Sequence, residues 1–315
     1  MISAPALSPD ISQGSVINAV AWTGASISTI CVALRLYSRI FVIQAPGWDD
    51  PVIVVAAVLN IVTKSLCSVA IVNGLGRHSI YLSSRDISRI VFYTPIFEAT
   101  GITAYCLPKV AIVIFIRRLM GTAKRAMWIL YVPVIGLFIS LPVAITIVFL
   151  QCNPPGEVLH PFAPKNGCIP LEAYTIFNTI ASVWSALADL VLAAFPIFLL
   201  WKLQMGKSRK LIVMAIMALG SLAAVAAVIK TTQLPKQNSS DATYELFTLL
   251  VSVFLEIDLC IMAACVPAFP KLWQRVFGKR KNWSHTGRFH HVAPSRDLHK
   301  EFDDHYEEIG PRDIS

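Results

Sequence analysis

The chain has 315 residues, 55% of them apolar and only 15% charged, with a mean hydropathy of +0.62 and a formal net charge of +8. That balance excludes a pair of ordinary soluble domains. It also excludes nucleic acid as the partner of the positive charge, because the basic residues sit in short loops between apolar runs and in the tail, where they set membrane orientation.

A helix in lipid must pair its backbone N–H and C=O groups within itself, and crossing the bilayer takes roughly 20 consecutive apolar residues. Residues 1–15 are expected to lie outside the membrane. They lack the basic start and short apolar run of a cleaved signal peptide, so the first span is expected to be retained as a signal anchor. That span, Val16–Leu34, carries Gly24 and Ser28 four apart, a spacing that lets helices approach closely, and it ends at Arg35 and Arg39. A turn, Gly47-Trp48-Asp49-Asp50, leads into the second span, Pro51–Val72, which contains Lys64. The third, Ile90–Ile116, contains Glu98 and Lys109, and the fourth is Met127–Leu150. After a loop with Cys152 and Cys168 comes the fifth, Tyr174–Leu200. The sixth, Leu211–Ile229, has a second small pair in Gly220 and Ala224, and the seventh, Leu246–Phe269, holds Glu256 and Asp258. Pro95, Pro108, Pro133, Pro142 and Pro196 fall inside spans, and each removes a backbone donor and bends its helix.

These elements predict an all-α, polytopic membrane protein: a seven-transmembrane-helix bundle over residues 16–273, then a largely disordered cytoplasmic tail over 274–315. With the N-terminus outside, nineteen Lys and Arg fall on the cytoplasmic side, and six, Lys230 and Lys236 among them, on the other. This orientation puts Cys152 and Cys168 on the oxidising side as a candidate disulfide, and makes Asn238 of Asn238-Ser239-Ser240 a candidate glycosylation site. The membrane is expected to be the plasma membrane or an endomembrane.

Ionisable groups within a span are costly, so they turn towards the bundle interior. Asn178, Ser182, Ser185 and Asp189 follow spacings of four, three and four and make one polar stripe on the fifth span. With Lys109 and Glu256 they are the candidate intramembrane polar pocket, and Asp189 and Glu256 are the candidate acids. Either acid is expected to pair with Lys109 or Lys64, or else the whole set serves interhelical packing. Glu256 and Asp258 are about 200° apart around a helix, so one of them is expected to face inward. Five histidines cluster in the tail without partner cysteines, and no metal site is expected. Phosphate-loop, serine-hydrolase and zinc-protease patterns are all missing.

Leu34-Arg35-Leu36-Tyr37-Ser38-Arg39 followed by Gly47-Trp48-Asp49-Asp50 resembles the signature of the fungal rhodopsin-domain integral membrane proteins, the family named after a membrane protein of the satratoxin biosynthesis cluster. Further likenesses follow in the family's order. They are Gly74-Leu75-Gly76-Arg77-His78, Pro108-Lys109, Arg118, Gln151-Cys152-Asn153-Pro154-Pro155, Gly167-Cys168, Asp189, Phe195-Pro196-Ile197, Trp201 to Met205, Arg209-Lys210, Gly220, Glu256 and Cys265-Val266-Pro267. The resemblance implies a seven-helix bundle with its N-terminus outside. It also implies one of two settings, a pathogenicity-linked receptor or a gene cluster for a mycotoxin or other secondary metabolite. The absence of a Cys-rich external module and the short tail favour the second as an expectation. A bound retinal would need a lysine in the last span, which has none, so no cofactor is expected.

The leading expectation is therefore a component of a fungal secondary-metabolite pathway that acts on or accompanies a hydrophobic intermediate, with the bilayer and that small molecule as partners. A receptor-like sensor coupled to a cytoplasmic protein through Arg117, Arg118, Lys207 and Arg209 is one alternative, and a proton-coupled transporter is another. At the opening junction, Asp49 and Asp50 are expected either to pair with Arg35, Arg39 and neighbouring basic loops or to cap the second helix.

Overall fold

The computed structural model describes residues 12–44, 47–120, 124–150, 169–200, 207–235 and 242–269. Among them every regular element is helical: α1 Gly14–Tyr37, α2 Asp49–Val72, α3 Ser84–Met120, α4 Lys124–Leu150, α5 Leu171–Leu200, α6 Lys207–Gln233 and α7 Ala242–Cys265. All seven are long and apolar enough to cross a bilayer. Large apolar residues on their outer faces, such as Val55 and Val58 on α2, Ile135 and Ile139 on α4 and Leu222 and Val225 on α6, are exposed. In water such a surface would aggregate, whereas in lipid it is solvated. This is a multi-pass membrane protein.

The first helix does not stop where its apolar run does. It continues through Tyr37 into a π-helical segment, Ser38–Ile43, that ends at Gln44 with φ of 53°. Arg35 and Arg39 are thus buried within a helix rather than in a loop, at 1% and 6% exposure. Helix can continue past a charge that is met inside the protein, and here Asp49 and Asp50 meet it from the first turn of α2.

Between α2 and α3 the chain turns through Gly74 and Gly76, at φ of 105° and 91°, which a side-chain-bearing residue rarely adopts. Leu75, between them, is fully buried, and its N–H reaches back to the Ala70 carbonyl at 3.1 Å. The Gly76 carbonyl accepts the Gln13 N–H at 3.0 Å, so this turn also holds the start of α1.

The seventh helix is the axis of the bundle. Of its most apolar stretch 72% is buried, against 28% for α1 and α4, and it packs on α1, α2, α3 and α6. Its Ile257 and Ile261 join Val32, Ile53, Ala104 and Leu192 in the largest apolar core. Gly24 sits where α1 crosses α7, and a Cβ there would overlap the Asp258 carboxylate. Gly220 likewise lets α6 close on Ala193 of α5. Because α7 is surrounded, Glu256 and Asp258 are both buried, at 0% and 2% exposure, and not one of them alone. Cys152, Cys168, Asn238 and residues 270–315 lie outside the described residues, as do the side chains of Arg118, Lys207 and Arg209.

Candidate functional site

Three charged clusters run through the bundle, and α7 contributes to each. The first closes one end. Arg35 pairs with Asp49 and, at 3.1 Å, with Asp50, while Arg39 reaches Asp49 at 3.2 Å. Arg35 also donates to the Ala264 carbonyl and Ser38 to that of Ala268 at 3.0 Å, which ties the α1–α2 junction to the end of α7. Neither acid is the cap of α2: Trp48 holds that position without a side-chain cap bond, and it is largely exposed.

The second cluster sits among α1, α2 and α7. Lys64 Nζ contacts both Asp258 oxygens, at 2.8 and 2.6 Å, and Asp258 Oδ1 also accepts from Ser28 at 3.0 Å and Asn60 at 2.9 Å. Lys64 therefore pairs with Asp258 and not with Asp189 or Glu256. The two-residue offset on α7 explains this, since it aims Asp258 away from the side where Glu256 points.

The third cluster unites the lower part of the α5 stripe with α3, α6 and α7. Lys109 Nζ donates to Ser185 Oγ at 2.6 Å and pairs with Asp189 Oδ2 at 3.0 Å and Glu256 Oε1 at 3.3 Å. Ser185 Oγ in turn donates to Glu256 Oε1 at 2.8 Å, and Lys230 Nζ pairs with Glu256 Oε2 at 2.5 Å. Cys260 Sγ donates to Asp189 Oδ1 at 3.6 Å. The Tyr105 ring lies 5.2 Å from the Lys109 ammonium and 4.8 Å from that of Lys230. Two lysines and two carboxylates thus balance in a region that could not hold any of them alone. Ser182 stands apart, sharing a 2.8 Å hydrogen bond with Thr231 of α6.

Sequence reasoning placed Lys230 in an external loop because the apolar run ends at Ile229. In the structure α6 continues to Gln233 and Lys230 is buried at 7% exposure. A signal was present: Gly220, Ala223, Ala227 and Lys230 are spaced three, four and three, so the lysine lies on the same helix face as the small residues that pack inward.

Above this network lies a cavity with about 130 Å³ open to the centres of water molecules. At roughly 10–15 Å³ per water it has room for a small organic molecule. Phe97, Ile102, Leu249, Val253 and Phe254 make much of its wall, and Lys230 and Tyr105 line it from the charged cluster. Two further polar groups face it from α3 and α5. Glu98 accepts a hydrogen bond from the Tyr174 hydroxyl, and Asn178 Nδ2 is buried without a hydrogen-bond partner. Neither Lys64 nor Asp258 lines it. Among the described residues no group of His, Cys, Asp and Glu is arranged to hold a metal ion.

The model of the fungal rhodopsin domain matches residues 34–275. The chain belongs to that family. Among curated relatives, a SAT4 family membrane protein of Emericella nidulans is 26% identical over 252 residues, covering 76% of this chain and 58% of the relative, so the chain spans little more than half of that protein's length. Fugralins biosynthesis cluster protein 2 of Gibberella zeae is 25% identical over 291 residues, covering 86% of this chain and 71% of the relative. No solved structure matches. The family's name raises retinal, but α7 carries no lysine to link it, so the residues do not fit that cofactor at the position the name implies.

Proposed function

We propose that this fungal rhodopsin-domain protein works in a secondary-metabolite pathway, where it holds an apolar intermediate in the bundle cavity. The observation that carries this reading is the cavity itself, apolar on its walls and supplied with a few separate polar groups, the pattern of a small-molecule site. The Gibberella zeae relative, named for a biosynthesis cluster, supports the setting. In this reading Glu256 and Asp189 stand behind the part of the wall that Lys230 and Tyr105 form, and they hold the charged cluster together rather than deliver a proton. Both oxygens of Glu256 are taken by ammonium groups, and Asp189 is bound by Lys109 and Cys260.

The test is deletion of the gene under producing conditions with metabolite profiling, followed by complementation with the wild type or with Ile102→Trp, which fills the cavity. The expected result is a changed profile restored by the wild type and not by the filled variant. An unchanged profile in the deletion strain overturns the pathway role, and full rescue by a stably expressed Ile102→Trp overturns the role of the cavity.

The sensor reading has one observation of its own. The same helix that lines the cavity with Phe254 presents the Ala264 carbonyl to Arg35, so α7 joins the cavity to the ion-paired end. It predicts a ligand-dependent signal in cells expressing the protein that is lost on charge reversal at Arg117 while the protein remains in the membrane. A ligand-dependent response that survives the reversal counts against it.

A further inference from the structure

The cavity has two polar poles, and they differ in how their charge is met. At the floor the Lys230 ammonium is already paired with Glu256 and lies against the Tyr105 ring. On the wall, Glu98 has only the Tyr174 hydroxyl, and no basic group of the described residues stands within ion-pair distance of it. Glu98 is half-buried, whereas the fully buried carboxylates of the described bundle, Asp49, Asp50, Asp189, Glu256 and Asp258, each have a lysine or arginine partner. Glu98 and Tyr105 are seven residues apart on α3, so the poles are roughly 10 Å apart along the helix axis.

A carboxylate facing an apolar cavity is costly unless it takes up a proton or meets a counter-charge, and the described residues supply no counter-charge here. The Phe97 and Tyr105 rings line the same space, and aromatic faces attract an organic cation. Asn178, on the same wall, offers an unused N–H donor to an oxygen or nitrogen acceptor. The geometry points to a ligand that is an apolar molecule bearing a protonated amine, its ammonium paired with Glu98. This rests on the cavity being the ligand site, as proposed above. A carboxylic acid would set a second negative group beside Glu98, and a neutral alcohol would leave Glu98 without a counter-charge.

Three compounds of one shape separate these cases: 1-aminoadamantane, 1-adamantanol and adamantane-1-carboxylic acid, titrated against the full chain in detergent with thermal unfolding as the readout. The amine is expected to raise Tm at concentrations about tenfold lower than the alcohol, as befits a hydrogen bond between charged groups, and the acid to give no shift. Glu98→Gln can still accept from Tyr174, and it is expected to remove the amine's advantage while leaving the alcohol's shift in place. Tyr174→Phe keeps the carboxylate and is expected to keep the advantage. Equal potency of amine and alcohol on the wild type, or an amine advantage that survives Glu98→Gln, overturns the amine inference but not the cavity reading. No shift by any of the three on the wild type overturns both. The comparison of amine with alcohol on the wild type stands whether or not any variant folds.

Discussion

Glu256 and Asp258 are two residues apart on the same helix, equally buried and each bound to lysine, yet their surroundings differ. Asp258 is enclosed: Lys64, Ser28 and Asn60 take up its oxygens, and none of the pair lines the cavity. Glu256 is bound just as tightly, but one of its lysines, Lys230, is also part of the cavity wall. The same chemistry therefore serves packing on one side of α7 and adjoins a cavity on the other. A buried ion pair by itself says little about function, and what it adjoins says more.

The largest effect that separates the two sides is expected from Glu256→Gln. It leaves Lys109 and Lys230 to share Asp189 alone, and breaking a buried pair costs about 3–5 kcal/mol. The protein is expected to accumulate poorly in membranes, or to unfold at much lower temperature in detergent. Asp258→Asn is expected to cost slightly less, because it strands one lysine and keeps the hydrogen bonds to Ser28 and Asn60. The sharper contrast lies in rescue. Lys64→Met with Asp258→Leu removes both charges from an enclosed site, and such exchanges are often neutral, so thermal stability is expected to return to within about 1–2 kcal/mol of the wild type. No double substitution offers the same for Glu256, which has two lysines. If Lys109→Met with Glu256→Leu proved as stable as the wild type, the distinction between the two sides would fail.

How much of this was legible in the sequence follows the same division. The seven spans were readable because lipid leaves a helix no alternative to a long apolar run, and the α5 stripe because 3.6-residue periodicity brings Ser185 and Asp189 to one face. Pairing of Arg35 and Arg39 with Asp49 and Asp50 was readable because a short turn joins them. Partners across the bundle were not. Lys109 and Lys64 stood as alternatives for Asp189 and Glu256, with nothing to assign Lys64 to Asp258, and Lys230 was left outside, since which helix faces which is fixed by packing around α7 and not by any local period. The Tyr174–Glu98 contact was missed for the same reason, because Tyr174 is a helical turn above the stripe and a tyrosine at a span end reads as an interfacial residue. The cavity left no trace in the sequence, because a void is a property of several helices at once.

A smaller effect tests the close crossing on the enclosed side. Gly24→Ala places a methyl group against the Asp258 carboxylate, and an overpacked helix crossing costs about 1–3 kcal/mol. The acid cannot retreat without losing Lys64, so a drop in detergent Tm is expected with no change in ligand response. A change in ligand response at unaltered stability would mean that the enclosed cluster communicates with the cavity.

The smallest effect belongs to the cavity wall. Tyr174→Phe removes one hydrogen bond to Glu98, and hydrogen bonds between membrane helices average only about 0.6 kcal/mol. Thermal stability is therefore expected to fall by less than can be seen for Gly24→Ala, which marks this contact as one that orients a carboxylate rather than one that holds helices together. A loss as large as that of Asp258→Asn would show that Glu98 and Tyr174 pack the bundle like the enclosed pair, and the cavity would then have one polar pole instead of two.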